Sequence, residues 1–150
     1  MRRSRKKYET PKRPWDRERI EKEKELMKKY GLRRKREIWK SEAILRKYRR
    51  IARDLAAKKD EKMEKMLFSK LQKLGLLGKN PTLDDVLALT VEDILERRLQ
   101  TVIWRKGLAN TPKHARQLIV HGHVKLKGRK FVYPSYLVPV EEENDIEVEK

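Results

Sequence analysis

Ten basic side chains and no carboxylate lie between residues 97 and 130: Arg97, Arg98, Arg105, Lys106, Lys113, Arg116, Lys125, Lys127, Arg129 and Lys130. Thr111, His114, Gln117, His121 and His123 are interleaved with them and add hydrogen-bonding groups suited to phosphate and sugar oxygens. A segment of one charge sign needs a polyanion, and nucleic acid is the commonest one. Arginine brings a planar fork that bridges phosphates, and lysine brings an adaptable point charge. Two further groups of bases lie upstream. Arg2, Arg3, Arg5, Lys6 and Lys7 open the chain. Arg33, Arg34, Lys35, Arg36, Arg46, Lys47, Arg49 and Arg50 belong to a stretch, residues 33–50, with nine bases against two acids.

Other chemistries find little support. There is no cysteine, which removes disulfides, thiolate metal sites and thiol nucleophiles together. His114, His121 and His123 are poor zinc ligands among bases that repel a dication; contact with RNA backbone, or packing at a helix end, are their other readings. Gly75-Leu76-Leu77-Gly78-Lys79-Asn80 has the wrong glycine spacing for a phosphate loop and lacks its Ser or Thr. No metal, cofactor or small-molecule substrate is expected.

The 150 residues carry a net charge of +18, with 43% charged and 37% apolar residues. Such a chain forms one domain, or two small ones sharing an interface, with a modest core and partial dependence on a partner. Residues 1–50 hold 22 bases and 8 acids, residues 51–150 hold 19 and 15. No apolar run approaches the roughly 20 residues of a membrane span, and the basic start leads into Tyr8-Glu9-Thr10-Pro11 rather than an apolar leader. Heavy use of Lys, Arg and Glu also fits a heat-adapted protein.

The elements that must position these bases follow from local signals. Residues 1–14 read as an extended basic arm with little to bury. A helix over about 15–30 stops at Gly31. Ile38, Leu45, Tyr48, Ala52 and Leu55 mark a long helix, and Met63, Met66, Leu67, Leu71 and Leu74 the apolar side of a third. Thr82 with Asp85, and Thr90 with Asp93, have capping-box spacing. One helix from Thr90 to Gly107 would align Leu95, Leu99, Val102 and Ile103, with Arg98 and Arg105 flanking that stripe. Trp104 lies roughly opposite, to stack on a base or to pack against the N-terminal helices. Thr111 and Pro112 start a helix whose core face is Ala115, Leu118 and Ile119 and whose other face is Lys113, Arg116, Gln117 and His121. Strands are expected at 124–126, 131–133, 136–138 and 146–148. The acidic residues beyond Val140 should face away from a polyanion. The fold class is α+β: arm 1–14, helical region 15–90, and a small domain 91–150 of two helices on a mainly antiparallel sheet.

Arg98-Leu-Gln-Thr-Val-Ile-Trp-Arg-Lys-Gly-Leu-Ala, Ala115-Arg-Gln-Leu-Ile-Val-His-Gly-His-Val-Lys-Leu-Lys-Gly and Pro134-Ser-Tyr-Leu-Val resemble the S-four RNA-binding domain over about residues 97–148. Lys7-Tyr8-Glu9-Thr10-Pro11, Pro14-Trp15 and Ile51-Ala-Arg-Asp-Leu55 are similar to the small-subunit ribosomal S-four family of archaeal and eukaryotic type. The resemblance implies a structural, non-enzymatic protein of the cytoplasmic ribosome. It would bind small-subunit rRNA early in assembly beside other ribosomal proteins, with a possible part in translational accuracy. It carries Arg98, Arg105, Thr111, Lys113, Arg116, Gln117, His121, His123, Lys125 and Lys127 onto the RNA face. Thr111-Pro112 stands where bacterial relatives often have Ser-Arg, and the Cys-bound zinc of some relatives is impossible here. An RNA-modifying enzyme fragment and a ribosome-rescue factor are the competing readings. The first would need a pocketed catalytic carboxylate, and the second would not need the arm or the long basic helices.

Overall fold

The computed structural model describes residues 5–149 and has an α+β fold. Helix α1 (Arg17–Tyr30) starts where the Asp16 carboxylate accepts from the Arg19 N–H, and ends at Gly31. Gly31 has φ +61°, and a Cβ there would lie 2.8 Å from the Pro112 Cβ, so only glycine fits. Helix α2 (Lys35–Lys58) buries Ile38, Leu45, Tyr48, Ala52 and Leu55, the expected stripe. Helix α3 (Glu61–Lys73) is capped by Asp60 and buries only Leu67 and Leu71. Met63 and Met66, expected on its buried side, are 48% and 58% exposed. The face that α3 turns inward is filled by the two leucines together with half-buried Phe68.

Helices α4 (Leu83–Ala88) and α5 (Val91–Glu96) both open with reciprocal Thr–Asp capping boxes. The single helix expected after Thr90 is two. Helix α6 (Leu99–Arg105) starts after a break in which Arg98 is extended, with ψ 143°. The backbone bonds at the break go to a distant segment: Leu99 N–H donates to the Tyr136 carbonyl (2.7 Å), and Val138 N–H to that of Arg97 (2.9 Å). Partners some 40 residues away replace the helical ones, which local periodicity cannot register.

Helix α7 (Pro112–Val120) begins as expected, with Thr111 Oγ1 accepting from His114 N–H at 3.1 Å. Strands β1 (Val124–Leu126), β2 (Arg129–Lys130) and β3 (Ile146–Val148) form an antiparallel sheet in the order β2-β1-β3. The register pairs Lys125 with Lys130 on one side and with Glu147 on the other. Segments 131–133 and 136–138 are not strands. Leu137 makes an isolated bridge to Arg98, and Val140–Asp145 is a 3-10 turn.

One apolar core joins Leu99, Val102, Ile103, Ala115, Ile119, Val124, Val138 and Ile146. A second joins Leu45, Tyr48, Ala52, Leu55, Leu67, Leu71, Val86 and Ile94. Tyr30, Leu32, Ile38 and Leu95 form a small third cluster. Trp104 packs on the first core, and the Arg105 guanidinium lies 4.4 Å from its ring centroid.

Candidate nucleic-acid interface

The start of α2 meets α7 and the 134–137 segment along a basic groove. One part, about 310 Å³, is lined by Tyr8, Arg33, Arg34, Arg36, Glu37, Lys40 and Arg116. An adjoining part, about 340 Å³, shares Glu37, Lys40 and Arg116 and adds Lys7, Arg98 and Pro134 among its walls. Arg33, Arg34, Arg36 and Lys40 are exposed and have no carboxylate partner among the described residues. They surround the N-terminus of a helix whose N-cap, Arg34, makes no side-chain cap bond. The backbone N–H groups of this first turn and the positive helix end add to the side-chain charge, set against the Glu37 carboxylate in the same turn.

Glu37 organises this groove. Its Oε1 accepts from Arg116 (2.8 Å) and Arg98 (3.4 Å), and its Oε2 from the Arg33 backbone N–H (3.0 Å). Burial pushes the Glu37 carboxyl up. The Arg116 hydrogen bond and the charges of Arg98 and Arg116 outweigh it and hold the group below its ordinary value. Arg98 is 4% exposed, and burial presses its pKa downward against the pull of Glu37. It stays charged, because a guanidinium starts from so high a value.

Buried Gln100 makes a second stitch. Its amide donates to the carbonyls of Tyr30 (3.2 Å), Gly31 (3.0 Å) and Pro112 (2.9 Å), tying the end of α1 to the start of α7. Buried Tyr30 donates its hydroxyl between Glu92 (3.1 Å) and Glu96 (3.0 Å). Its pKa is raised by burial and by hydrogen bonding to the two carboxylates.

The acid-free stretch of sequence is not acid-free in space. Six of its ten bases meet carboxylates: Arg97 with Glu143, Arg98 and Arg116 with Glu37, Arg105 with Glu96, Lys125 with Glu149, and Lys127 with Glu142. Lys106 reaches the Glu143 carbonyl. The acidic segment expected to face away instead supplies four of these contacts, because β3 pairs with β1 and the 3-10 turn runs beside it. Lys113, Gln117, His121, His123, Arg129 and Lys130 remain exposed, with the two histidine ring centroids 6.4 Å apart. His114 is half-buried, and its Nδ1 faces the Asn110 N–H at 3.4 Å.

Among the upstream bases, Arg46 pairs with Glu9 (2.5 Å), Lys35 with buried Glu23 (3.4 Å), and Arg49 donates to the Leu89 carbonyl (2.6 Å). Lys47 and Arg50 are exposed, as are Arg5, Lys6 and Lys7, while Arg2 and Arg3 lie outside the described residues. Described residues of the arm also make contacts within the chain: the Tyr8 ring lies 6.0 Å from that of Trp39. Glu37, Lys40 and Gln100 were not singled out from sequence. Their signals are present nonetheless. Glu37 is the lone acid in a run of bases, Lys40 follows Arg36 by one helical turn, and Gln100 interrupts an apolar stripe.

Residues 97–144 match the S4 domain family model. Small ribosomal subunit protein uS4 of Korarchaeum cryptofilum is 54% identical over 149 residues, covering 98% of this chain and 90% of that protein. The chain belongs to the uS4 family. The uS4 proteins of Methanococcus aeolicus (56% identity, 97% of this chain, 84% of the relative) and Saccharolobus islandicus (53%, 96% and 82%) are similar along the same span. Likeness to the uS4 relatives therefore extends beyond the S4 domain into the α2 helix and its groove.

Proposed function

We propose that this uS4-family chain is a structural rRNA-binding protein of the small ribosomal subunit, without enzymatic activity and resident on cytoplasmic ribosomes. It acts early in assembly, next to other small-subunit proteins, and can influence translational accuracy through its place there. The observation that carries this reading is the groove at α2, where exposed arginines and a helix start without a side-chain cap converge on one surface. Folded RNA is recognised through phosphates, 2′-hydroxyls and shape, and this surface offers point charges, planar forks and backbone N–H groups together. Its RNA contacts are Arg33, Arg34, Arg36, Lys40, Lys47 and Arg50, joined by the arm, Lys113, Gln117, His121, His123, Arg129 and Lys130. The bases already paired to carboxylates, such as Arg98 and Arg97, set the shape of the face. The arm (1–14), helical region (15–90) and S4-like region (91–150) act as one binding unit.

Sedimentation tests the proposal. The tagged protein should travel with small ribosomal subunits through a high-salt gradient. Recovery only at the top of the gradient would refute it.

A further inference from the structure

Trp15 is 90% exposed, the most exposed large apolar side chain among the described residues. It sits on a turn whose backbone is firmly held. Arg19 Nη2 donates to the carbonyls of Arg13 (3.0 Å) and Pro14 (3.2 Å), and Arg19 Nη1 pairs at 2.7 Å with Glu23, itself buried and bonded to Trp39. Asp16, the next residue, caps α1. The indole is thus displayed on a pinned corner rather than on a loose end. Lys12, Arg13, Pro14 and Asp16 line a recess of about 550 Å³ around it, with one Asp16 oxygen turned to the Arg19 N–H as the helix cap.

We infer that Trp15 is a stacking platform for an unpaired nucleobase, with Lys12 and Arg13 meeting the phosphates on either side of that base. The inference rests on the rRNA-binding reading and deepens it: the groove at α2 accounts for phosphate contacts and its aromatic wall, Tyr8, is half-buried beside Trp39, whereas Trp15 is almost fully exposed. An indole takes any base, because every base has a π-face. The cations beside it fit a nucleotide, whereas an apolar protein surface would bring no anion to them. Pinning the corner beforehand lowers the ordering cost of binding.

The test measures binding of full-length wild type, Trp15→Phe, Trp15→Leu and Trp15→Ala to naked small-subunit rRNA. Trp15→Ala should weaken binding by about 5- to 150-fold, the range for stacking one base on one aromatic ring. Trp15→Phe should retain most affinity, and Trp15→Leu should behave like Ala. The salt slope should be the same in all four, as no cation is removed. Tryptophan emission assigned to Trp15, taken as wild type minus Trp15→Phe, should be quenched on binding. Melting temperatures should be unchanged, given the exposure of the side chain.

Equal affinity of wild type and Trp15→Ala would overturn the inference while leaving the rRNA reading intact. A defect seen only when other ribosomal proteins are present would also overturn it, in favour of a protein partner. Failure of wild type itself to bind the rRNA would strike the functional reading, and this inference with it.

Discussion

Replacing Glu37 should destabilise the protein even though it removes a negative charge from a strongly basic surface. Three donors converge on this carboxylate: Arg98, whose side chain is 4% exposed, Arg116 at 23%, and the Arg33 N–H. Removing one partner of a buried ion pair costs about 3 to 5 kcal/mol, mainly by leaving the other charge uncompensated. Arg98 lines the groove, where water can reach part of the guanidinium, so about 2 to 4 kcal/mol is expected for Glu37→Ala. For a chain of this size each kcal/mol lowers Tm by about 2 to 4 °C, so the loss is about 4 to 16 °C. Glu37→Gln keeps an acceptor oxygen for Arg116 and should cost about half as much. Thermal unfolding followed by circular dichroism measures both. The pH dependence gives a second check. The folded-state pKa of Glu37 lies below its ordinary value of 4.5, so its stabilisation is fully present above the unfolded value and is lost as pH falls through the folded one. The gap between wild type and Glu37→Gln should be widest near neutrality and close below that ordinary value. A loss under about 1 kcal/mol for Glu37→Ala, or a gap that widens on acidification, would refute the role given to Glu37.

Arg34→Glu with Arg36→Glu should weaken rRNA binding by at least about tenfold, measured by filter binding, with Tm unchanged because neither side chain has a carboxylate partner among the described residues. Arg116→Glu is a poor test of RNA contact, since it sets a carboxylate against Glu37; it should lower Tm as well as affinity, by amounts read in the same two assays. Binding to rRNA should fall steeply with salt: six to ten neutralised phosphates give a slope of log K against log salt of about −5 to −9, and a slope shallower than about −2 would point to a small pocket instead. Gly31→Ala should cost about 2 to 4 kcal/mol in chemical unfolding, from a left-handed backbone and the approach to the Pro112 Cβ.

Much of this fold was legible without coordinates because its signals are local. Asp16, Asp60, Thr82, Thr90 and Thr111 cap helices where their side chains reach an N–H two or three residues on. Gly31 ends α1, and the stripe from Ile38 to Leu55 is buried, since one helix turn relates its members. The basic charge itself, and its concentration toward residues 33–50, are properties of the chain in any conformation. Tertiary structure alone decided how that charge is used. Arg98 and Arg116 lie 61 and 79 residues from Glu37, and Lys125 lies 24 from Glu149, so no local pattern ties base to acid. The break at Arg98 likewise depends on backbone partners near Tyr136. Composition determines how much positive charge there is to present. Only the packing of distant segments decides which cations are spent on carboxylates and which are left facing a polyanion, because a Coulomb pair depends on separation in space and not along the chain.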